Sequence, residues 1–440
     1  MLKNLLKHKL FVYLLVCFIW SGVNAQTIPY LSVDDAIVIG LRQNFQLIID
    51  SNNVEASSIR NSPGNAGFLP QLNVNSNILY SDQTIKQQYS NGTELNHNNA
   101  TTNTRNISAA VSWTLFDGGR MFATAKLLRL QEDQSRLISK DDIQNLMATI
   151  INAYYNVVQQ KQLLVQIDSS LKYYDVQLIT SQNLKLHGKG TQQQIFQSQI
   201  DRNTEEAQYY AQLNSLLDAK TNLNHLLQRS PDLDFEVGDS IPVTSGTADT
   251  TRQFLTEHNP FLLEASRNVN IQTAILQQNK SLYFPQLSVI GGYGFNNSSS
   301  SASFFLLNQN LGWNAGVTLG WNLFDGFRTR NLVEVSKINI ENARINYEQA
   351  VSNTEASVSI AYHKYKTALQ QMMVLKQNLQ LAEENLRIAL EEFKLYAITQ
   401  IELQQAHRSY DDVSAAYITS LYAVKSAETN LQMLNGSLVQ

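Results

Sequence analysis

Histidine and carboxylate side chains are the groups in this sequence that could perform acid–base or metal chemistry, but their spacing favours neither. Glu257-His258 is the nearest approach to a catalytic dyad, and it directly precedes Asn259-Pro260, where a helix start or turn explains the polar residues by capping. The sequence contains no zinc-protease helix motif, nucleophile elbow, phosphate loop or dinucleotide fingerprint. The other histidines considered lack metal-ligand spacing: His187, His225, His363 and His407. We therefore predict no enzyme, no cofactor and no metal site.

The composition points instead to long, uninterrupted elements. Charged residues make up 16% of the 440 positions and the mean hydropathy is -0.24, so the polarity comes mostly from uncharged side chains. Seven prolines and nineteen glycines are too few for many short elements joined by turns. The single cysteine excludes a disulfide scaffold. A net charge of -4 gives no electrostatic basis for binding nucleic acid.

The N-terminus has the pattern of a secretory signal peptide. Three lysines precede the apolar run Leu10–Trp20, and Val23-Asn24-Ala25 supplies the small residues that a signal peptidase requires. A transmembrane anchor is the alternative, but this run is shorter than the ~20 residues that a bilayer core needs. We predict that residues 1–25 are removed and that the mature chain starts at Gln26.

The rest of the chain is an internal duplication. Asn44 is answered by Asn259, 215 positions later, and the two Pro-Gln-Leu segments have the same offset. Two Leu-Phe-Asp-Gly-x-Arg segments, which start at Leu115 and Leu323, lie 208 positions apart. Several matches in register predict two structural repeats, residues 26–229 and 252–436, joined by a polar linker over residues 230–251.

Each repeat is predicted to contain two strands in which apolar and small polar residues alternate. The predicted strands cover about residues 71–80, 106–116, 286–296 and 312–324. Strands of about ten residues with one apolar face are typical of tilted membrane β-strands. Strands of a soluble sandwich also alternate, but they are usually shorter, ~5 to 6 residues. The polar segments 81–105 and 297–310 are predicted to be long extracellular loops.

Very long helices follow each strand pair. They are predicted over about residues 119–187, 192–229, 326–396 and 400–435, with apolar residues recurring every 3.5 positions as in a coiled-coil seam. Thr191 with Gln194 and Thr399 with Glu402 have the spacing of capping boxes that start the returning helices. A hairpin of such helices would be ~100 Å long.

These residues together resemble the outer membrane efflux protein family, whose type member is TolC. The resemblance is carried by the duplicated Pro-Gln-Leu strand openings, the Leu-Phe-Asp-Gly-x-Arg junctions, Asn259-Pro260 and the threonine-capped helix tips. Two departures are Phe45 in place of the proline expected after Asn44, and a second tip without the glycines of the first. The resemblance implies a mainly α fold with membrane β: a trimeric twelve-stranded barrel continued by a periplasmic α-barrel, with residues 230–251 as an equatorial linker.

The function that the resemblance implies is a passive exit duct. The duct would belong to a tripartite efflux or type I secretion system in the outer membrane of a Gram-negative-type envelope, and would extend into the periplasm. Its partners would be outer-membrane lipid, a periplasmic adaptor (membrane fusion protein) and an inner-membrane RND or ABC-type transporter. The alternative is a periplasmic or surface coiled-coil structural protein without transport activity. The sequence does not identify the cargo.

The resemblance also assigns candidate site residues. Glu402 is the candidate tunnel gate, and its alternative role is to cap the helix. For the residues at the two helix tips, the alternative role is only to form the turn. Trp113 and Trp321 are predicted to be membrane-belt anchors rather than core residues. The candidate strand–helix junctions are Asp117, Gly118, Asp325 and Gly326. The candidate adaptor-docking tips are His187, Gly188, Lys189, Gly190, Tyr396, Ala397, Ile398 and Thr399.

Overall fold

The structure is a computed structural model that describes residues 29–243, 251–302, 305–395 and 397–438. The predicted signal peptide, residues 1–25, lies outside the described residues. The described residues fall into two compact units. The first lies within residues 1–42, 149–244 and 368–426, and the second within residues 43–148, 245–367 and 427–440.

The two halves of the chain share one order of elements, except that the first half has an additional short helix, α3. The first half contains α1 (Val33–Gln43), α2 (Phe45–Arg60), α3 (Pro63–Ala66), β1 (Gln71–Gln88), β2 (Glu94–Asp117), α4 (Arg120–Leu186) and α5 (Gln192–Leu226). The second contains α6 (Arg252–His258), α7 (Pro260–Ser281), β3 (Gln286–Ser300), β4 (Leu307–Gly320), α8 (Arg328–Lys394) and α9 (Gln400–Leu434).

The helix before each strand pair is broken at the asparagine shared by the repeats. The Asn44 side-chain oxygen accepts hydrogen bonds from the backbone N–H groups of Gln46 and Leu47, at 2.9 and 3.2 Å, and so starts α2. The Asn259 oxygen accepts from Leu262 N–H at 3.1 Å and starts α7. Each asparagine satisfies N–H groups that have no partner within the helix. Two helices therefore meet at this asparagine in each repeat.

One four-stranded antiparallel sheet combines both repeats, in the order β1-β2-β3-β4. Gln71 pairs with Ser112 between β1 and β2, and Val289 pairs with Val317 between β3 and β4. The repeats join where β2 pairs with β3, for example at Ile107 and Phe295. Within the described residues, β1 and β4 each have a neighbouring strand on one side only.

The strand ends differ from the prediction, which was wrong about the first loop. Residues 81–105 are mostly strand, because β1 continues to Gln88, β2 begins at Glu94 and only a short turn separates them. In that turn Tyr89 N–H donates to Thr93 O at 2.8 Å. Backbone pairing holds this extension together, so it does not need the alternating apolar residues on which the prediction depended.

In the second hairpin, the strands are longer than predicted at the loop end, whereas β4 is shorter than predicted at the other end. β3 reaches Ser300 and β4 begins at Leu307, so the strands run into the predicted loop 297–310. β4 ends at Gly320 and not at residue 324. Gly320 pairs with Gln286, the first residue of β3, so the residues after it have no strand partner on that side.

Several positions of the predicted 3.5-residue seam are buried in the long helices. Ile150, Ala153 and Val157 on α4 are less than a tenth exposed, as are Val358 and Ala361 on α8. Several tyrosines near the seams also pack through their rings: Tyr154 against Tyr155 and Tyr173 against Tyr174. None of the helices formed by the described residues combines the length and apolar character needed to cross a bilayer.

Candidate functional site

The strand–helix junctions are built alike in the two repeats. Asp117 accepts a hydrogen bond from Met121 N–H at 3.2 Å, and Asp325 accepts from Thr329 N–H at 2.9 Å and from its hydroxyl at 2.5 Å. These bonds satisfy first-turn N–H groups of α4 and α8. The hydrogen bond from the Thr329 hydroxyl lowers the pKa of the Asp325 carboxyl most, and the bond from Thr329 N–H lowers it further. Each carboxylate therefore fixes the point at which a strand becomes a long helix.

The glycine after each junction aspartate has a left-handed backbone. Gly118 has φ +69° and Gly326 has φ +68°, a region that costs a side-chain-bearing residue free energy. Their surroundings differ. A Cβ on Gly118 would lie 2.4 Å from Ser281 O and 2.7 Å from Phe284 Cβ, whereas a Cβ on Gly326 would meet no atom of the described residues within 4 Å. The first junction is therefore packed tightly and the second is open.

The indole groups of Trp113 and Trp321 make equivalent hydrogen bonds in the two repeats. Trp113 Nε1 donates to Phe68 O at 2.9 Å, and Trp321 Nε1 donates to Tyr283 O at 3.1 Å. Both acceptors lie two residues before the proline that opens a strand. The side chains remain about half exposed, at 44% and 58%, so core packing does not explain them. Their role as membrane-belt anchors stays a prediction.

The first helix tip is closed by a glycine motif. Gly188, with φ +71°, donates its N–H to Lys185 O at 2.9 Å, and Lys189 N–H reaches back to Leu184 O at 2.8 Å. This pair of bonds is a Schellman motif, which ends a helix with a left-handed residue. His187 also contacts Asn183 O through Nδ1 at 2.8 Å. The turn explains these residues, and adaptor docking stays a prediction.

The second tip closes with the equivalent bond although it lacks those glycines. Ala397 N–H donates to Glu392 O at 2.9 Å, and both residues lie 208 positions after the pair in the first tip. Ile398 is packed against the small core formed by Ala389, Leu403 and Ala406. Tyr396, predicted with these tip residues, lies outside the described residues.

Both returning helices begin with the capping box that the sequence predicted. Thr191 N–H donates to Gln194 Oε1 at 2.8 Å and Gln194 N–H donates to Thr191 Oγ1 at 3.3 Å. Thr399 N–H donates to Glu402 Oε2 at 2.7 Å, with the return bond at 3.3 Å. The bond from Thr399 N–H, and then that from its hydroxyl, lower the pKa of the exposed Glu402 carboxyl. Glu402 is therefore charged at neutral pH, and its cap is present in the structure.

Comparison with known proteins finds a family similar to the second repeat. Residues 252–437 match the family described as Outer membrane efflux protein. This stretch of the chain is similar to that family. The description of the family agrees with the predicted location in the cell outer membrane. The match covers the second repeat, and the internal duplication relates the first repeat to it.

Individual known proteins are also similar to this chain. The Dickeya chrysanthemi proteases secretion protein PrtF is 25% identical over 311 residues, which are 68% of this chain and 64% of PrtF, somewhat less than two thirds of that relative's length. The Campylobacter jejuni CmeC outer membrane channel has a TM-score of 0.76 at 14% identity, covering 93% of this chain and 86% of CmeC. The Vibrio cholerae outer membrane protein VceC has a TM-score of 0.75 at 14% identity, covering 92% and 96%. The predicted TolC-like fold is confirmed.

The chain also carries a polar network that the sequence did not predict. In the first compact unit, Gln400 Nε2 donates to Ser198 Oγ at 3.0 Å, and Arg408 lies 3.5 Å from the buried carboxylate of Asp201. Gln404 donates to the other oxygen of that carboxylate. Polar side chains thus join α9 to α5 near their tip ends. No local motif marks them, because the partners are about 200 positions apart in sequence.

His407, considered above only as a metal ligand, belongs to a neighbouring cluster. Its ring is stacked on Tyr173 at 3.7 Å, and Nδ1 lies 2.8 Å from Asp411. Asp411 also accepts hydrogen bonds from Gln166 at 2.8 Å and Ser170 at 2.9 Å. The i, i+4 spacing of His407 and Asp411 was the one signal in the sequence. Among the described residues, no three His, Cys, Asp or Glu side chains are grouped to hold a metal ion.

Glu257 and His258, the possible catalytic dyad, have separate hydrogen-bond partners. His258 Nδ1 contacts Phe254 O at 3.0 Å and its ring stacks on Phe254 at 4.2 Å, while Glu257 accepts from Gln253 at 3.2 Å. Each residue therefore makes its own contact within α6. The cap at this place comes from Asn259 itself, which also donates to Leu434 O at 2.7 Å.

Proposed function

We propose that copies of this chain form a passive exit duct through the outer membrane, serving an inner-membrane pump in efflux or secretion. The observation that carries this proposal is the four-stranded sheet, which has an apolar face and in which the outer edges of β1 and β4 have no strand partner among the described residues. Backbone groups on a strand edge cannot be satisfied by lipid, so such a sheet must close by pairing with further strands. Edge pairing of β4 with β1 of the next copy would meet that requirement.

The apolar row of each strand supports a lipid-facing side. Val74 and Ile78 on β1 are 71% and 73% exposed, and Val317 and Leu319 on β4 are 67% and 68% exposed. These side chains alternate with polar ones along each strand. Contiguous apolar side chains left uncovered in the single chain mark a surface that contacts protein or membrane. Ten-residue alternation favours the membrane.

The opposite row is uncharged and polar, which suits a conduit. Across β2 and β3 the hydroxyls of Thr104 and Ser298 lie 3.3 Å apart, and those of Thr114 and Ser288 lie 3.5 Å apart. Such a lining would solvate many solutes without binding any of them tightly. The energy for transport would then come from a partner protein.

Three copies fit a duct better than two. Two copies would give eight strands, a barrel size whose interior is usually filled by side chains, whereas three would give twelve strands and a wider lumen. We therefore propose a homotrimer, in which the long helices α4, α5, α8 and α9 continue the duct into the periplasm.

Partners would dock at the helix tips. PrtF is described as a proteases secretion protein, and the family that residues 252–437 match is described as Outer membrane efflux protein, so both secretion and efflux are represented among the similar proteins. A periplasmic adaptor would contact the first tip through residues 187–190 and the second through residues 396–399. An RND or ABC-type transporter would supply the cargo.

The proposal predicts an oligomer with channel activity. The protein should be recovered in the outer-membrane fraction, migrate as a heat-modifiable oligomer and give discrete conductance steps in planar bilayers. A mature protein that is fully soluble without detergent, and that gives no conductance, would instead support the coiled-coil structural protein.

The gate proposal predicts that Glu402→Gln changes conductance or reduces cation selectivity in planar bilayers. Three Glu402 carboxylates brought together at a tunnel mouth would repel one another and attract cations. The substitution separates charge from capping, because Gln194 already accepts the equivalent N–H bond at the first tip. Gln194→Glu is the matched control, since it adds a carboxylate to the other tip. Unchanged conductance and selectivity in Glu402→Gln would leave Glu402 as a helix cap only.

A further inference from the structure

An acidic pair, the buried Asp50 and the partly exposed Asp142, lies where α2 packs against α4 in the second compact unit. The two helices are joined at one end by neutral and charge-assisted hydrogen bonds: Ser57 and Ser135 hydroxyls lie 3.0 Å apart, and Asn61 Nδ2 donates to Glu132 at 2.7 Å. Further along the same contact, Asp50 of α2 meets Asp142 of α4. The hydroxyl and amide groups stabilise the helix contact by hydrogen bonding, but two carboxylates at the same contact would repel each other.

Asp50 is left with one unpartnered oxygen. The residue is only 5% exposed. Its Oδ1 accepts a hydrogen bond from Gln46 Nε2 at 2.9 Å, but its Oδ2 has no hydrogen-bond donor among the described residues. Asp142 lies opposite it, because the antiparallel pairing of Ser57 with Ser135 and of Asn61 with Glu132 continues to this position, and the charge of Asp50 raises the pKa of the Asp142 carboxyl. Ionised carboxylates only accept hydrogen bonds, so this contact becomes a hydrogen bond only when one of the two acids holds a proton.

The charges around the pair oppose ionisation. Burial first, and then the charge of Asp50 and a hydrogen bond with it, raise the pKa of Asp142, and Asp141 beside it on α4 adds to the effect. Burial also raises the pKa of Asp141, with a contribution from Glu264 on α7. Asn145 donates to Asp141 at 3.1 Å and Gln134 donates to Glu264 at 2.8 Å. The charged groups that act on Asp142 from the described helices are therefore all acidic.

We propose that Asp50 and Asp142 share one proton and form a pH-sensitive latch between α2 and α4. With the proton bound, Asp142 donates to the free oxygen of Asp50 and the helices are held together. With the proton released, the buried Asp50 carboxylate faces a second negative charge, and α2 loosens from α4. The bound ligand of this site is the proton itself.

The second repeat shows that the fold does not require these acids. The position equivalent to Asp50, 215 residues later, is Ala265, and that equivalent to Asp142, 208 residues later, is Ala350. Two alanines thus occupy the places of the acid pair in the other copy of the same elements. The first repeat carries the pair in addition to what the architecture needs.

The direction of the pH effect follows from linkage. The pKa of Asp142 is higher in the folded chain than in an unfolded one, so the folded state binds the proton more tightly. The stabilisation is fully present below the ordinary aspartate pKa and is lost as the pH rises through the raised value. The latch is therefore closed in acid and weakened towards neutral pH.

Hydrogen–deuterium exchange of the full chain in detergent tests the latch. Amide protection in α2, corrected for intrinsic exchange, should fall several-fold as the pH rises from about 4 to about 8 in the wild type. Asp50→Asn should remove this dependence, because the amide donates permanently to Asp142. Asp50→Ala combined with Asp142→Ala, which copies the second repeat, should remove it as well. The exposed Asp232→Asn is the charge-matched control and should keep the wild-type dependence.

Equal pH dependence of α2 protection in the wild type and in Asp50→Asn would overturn the proposal. Infrared spectroscopy of the wild type provides a second test that requires no folded asparagine variant. A protonated carboxylic-acid C=O band should persist above the ordinary aspartate pKa of about 3.9 and should weaken in the double alanine variant. Absence of that band in the wild type would also overturn the shared proton.

Discussion

Replacing Val317 by arginine should destabilise the assembled sheet by about 2–4 kcal/mol, the cost of a basic residue on the lipid face of a membrane strand near the bilayer midplane. Val317 is 67% exposed and lies opposite Val289, near the middle of the apolar row of β4. An arginine there would have to be desolvated in lipid or distort the bilayer. The free energy can be measured by denaturant titration of folding into lipid vesicles, with heat-modifiable migration reporting the assembled oligomer.

Thr318→Arg is the matched control for this prediction. Thr318 is the next residue of the same strand, so its side chain lies on the opposite face, and it pairs with Ser288. If that face lines a water-filled duct, the arginine remains solvated and changes ion selectivity more than stability. Equal losses of stability in the two variants would contradict the assignment of one face to lipid and the other to the lumen.

The helical part of the fold could be predicted closely from sequence. The long helices end within a few residues of their predicted limits because their stop signals are local. Thr191 and Thr399 each carry a capping partner three residues later. Between the caps, the near absence of glycine and proline leaves nothing to interrupt a helix.

The strand ends and the buried polar groups could not be predicted in the same way. The extension of β1 to Gln88 is held by backbone bonds to β2, which side-chain alternation does not report. The contact of Asp50 with Asp142 joins residues 92 positions apart, and each looks like an ordinary polar residue of an amphipathic helix. The helix tips show a third case. Ala397 makes the same closing bond as Lys189 although glycine is present only in the first tip.

Gly118→Ala should cost about 3 kcal/mol of stability. A Cβ in the left-handed region costs roughly 1–2 kcal/mol by itself. At Gly118 it would also overlap Ser281 O and Phe284 Cβ, at 2.4 and 2.7 Å, and overpacking of this kind typically costs about 1–3 kcal/mol. Ser281 O is a backbone atom, so it cannot move out of the overlap as the end of a flexible side chain could. Denaturant unfolding in detergent micelles would measure the loss.

Gly326→Ala separates the two contributions to that loss. Gly326 follows Asp325 as Gly118 follows Asp117, and its φ of +68° differs by one degree from that of Gly118. No atom of the described residues lies within 4 Å of the Cβ that it would gain, so this variant should lose only the backbone cost of roughly 1–2 kcal/mol. A larger loss in Gly118→Ala would show that the first junction is held against the end of α7 by close packing. Equal losses would mean that backbone conformation alone decides, and that Ser281 and Phe284 shift freely to admit a methyl group.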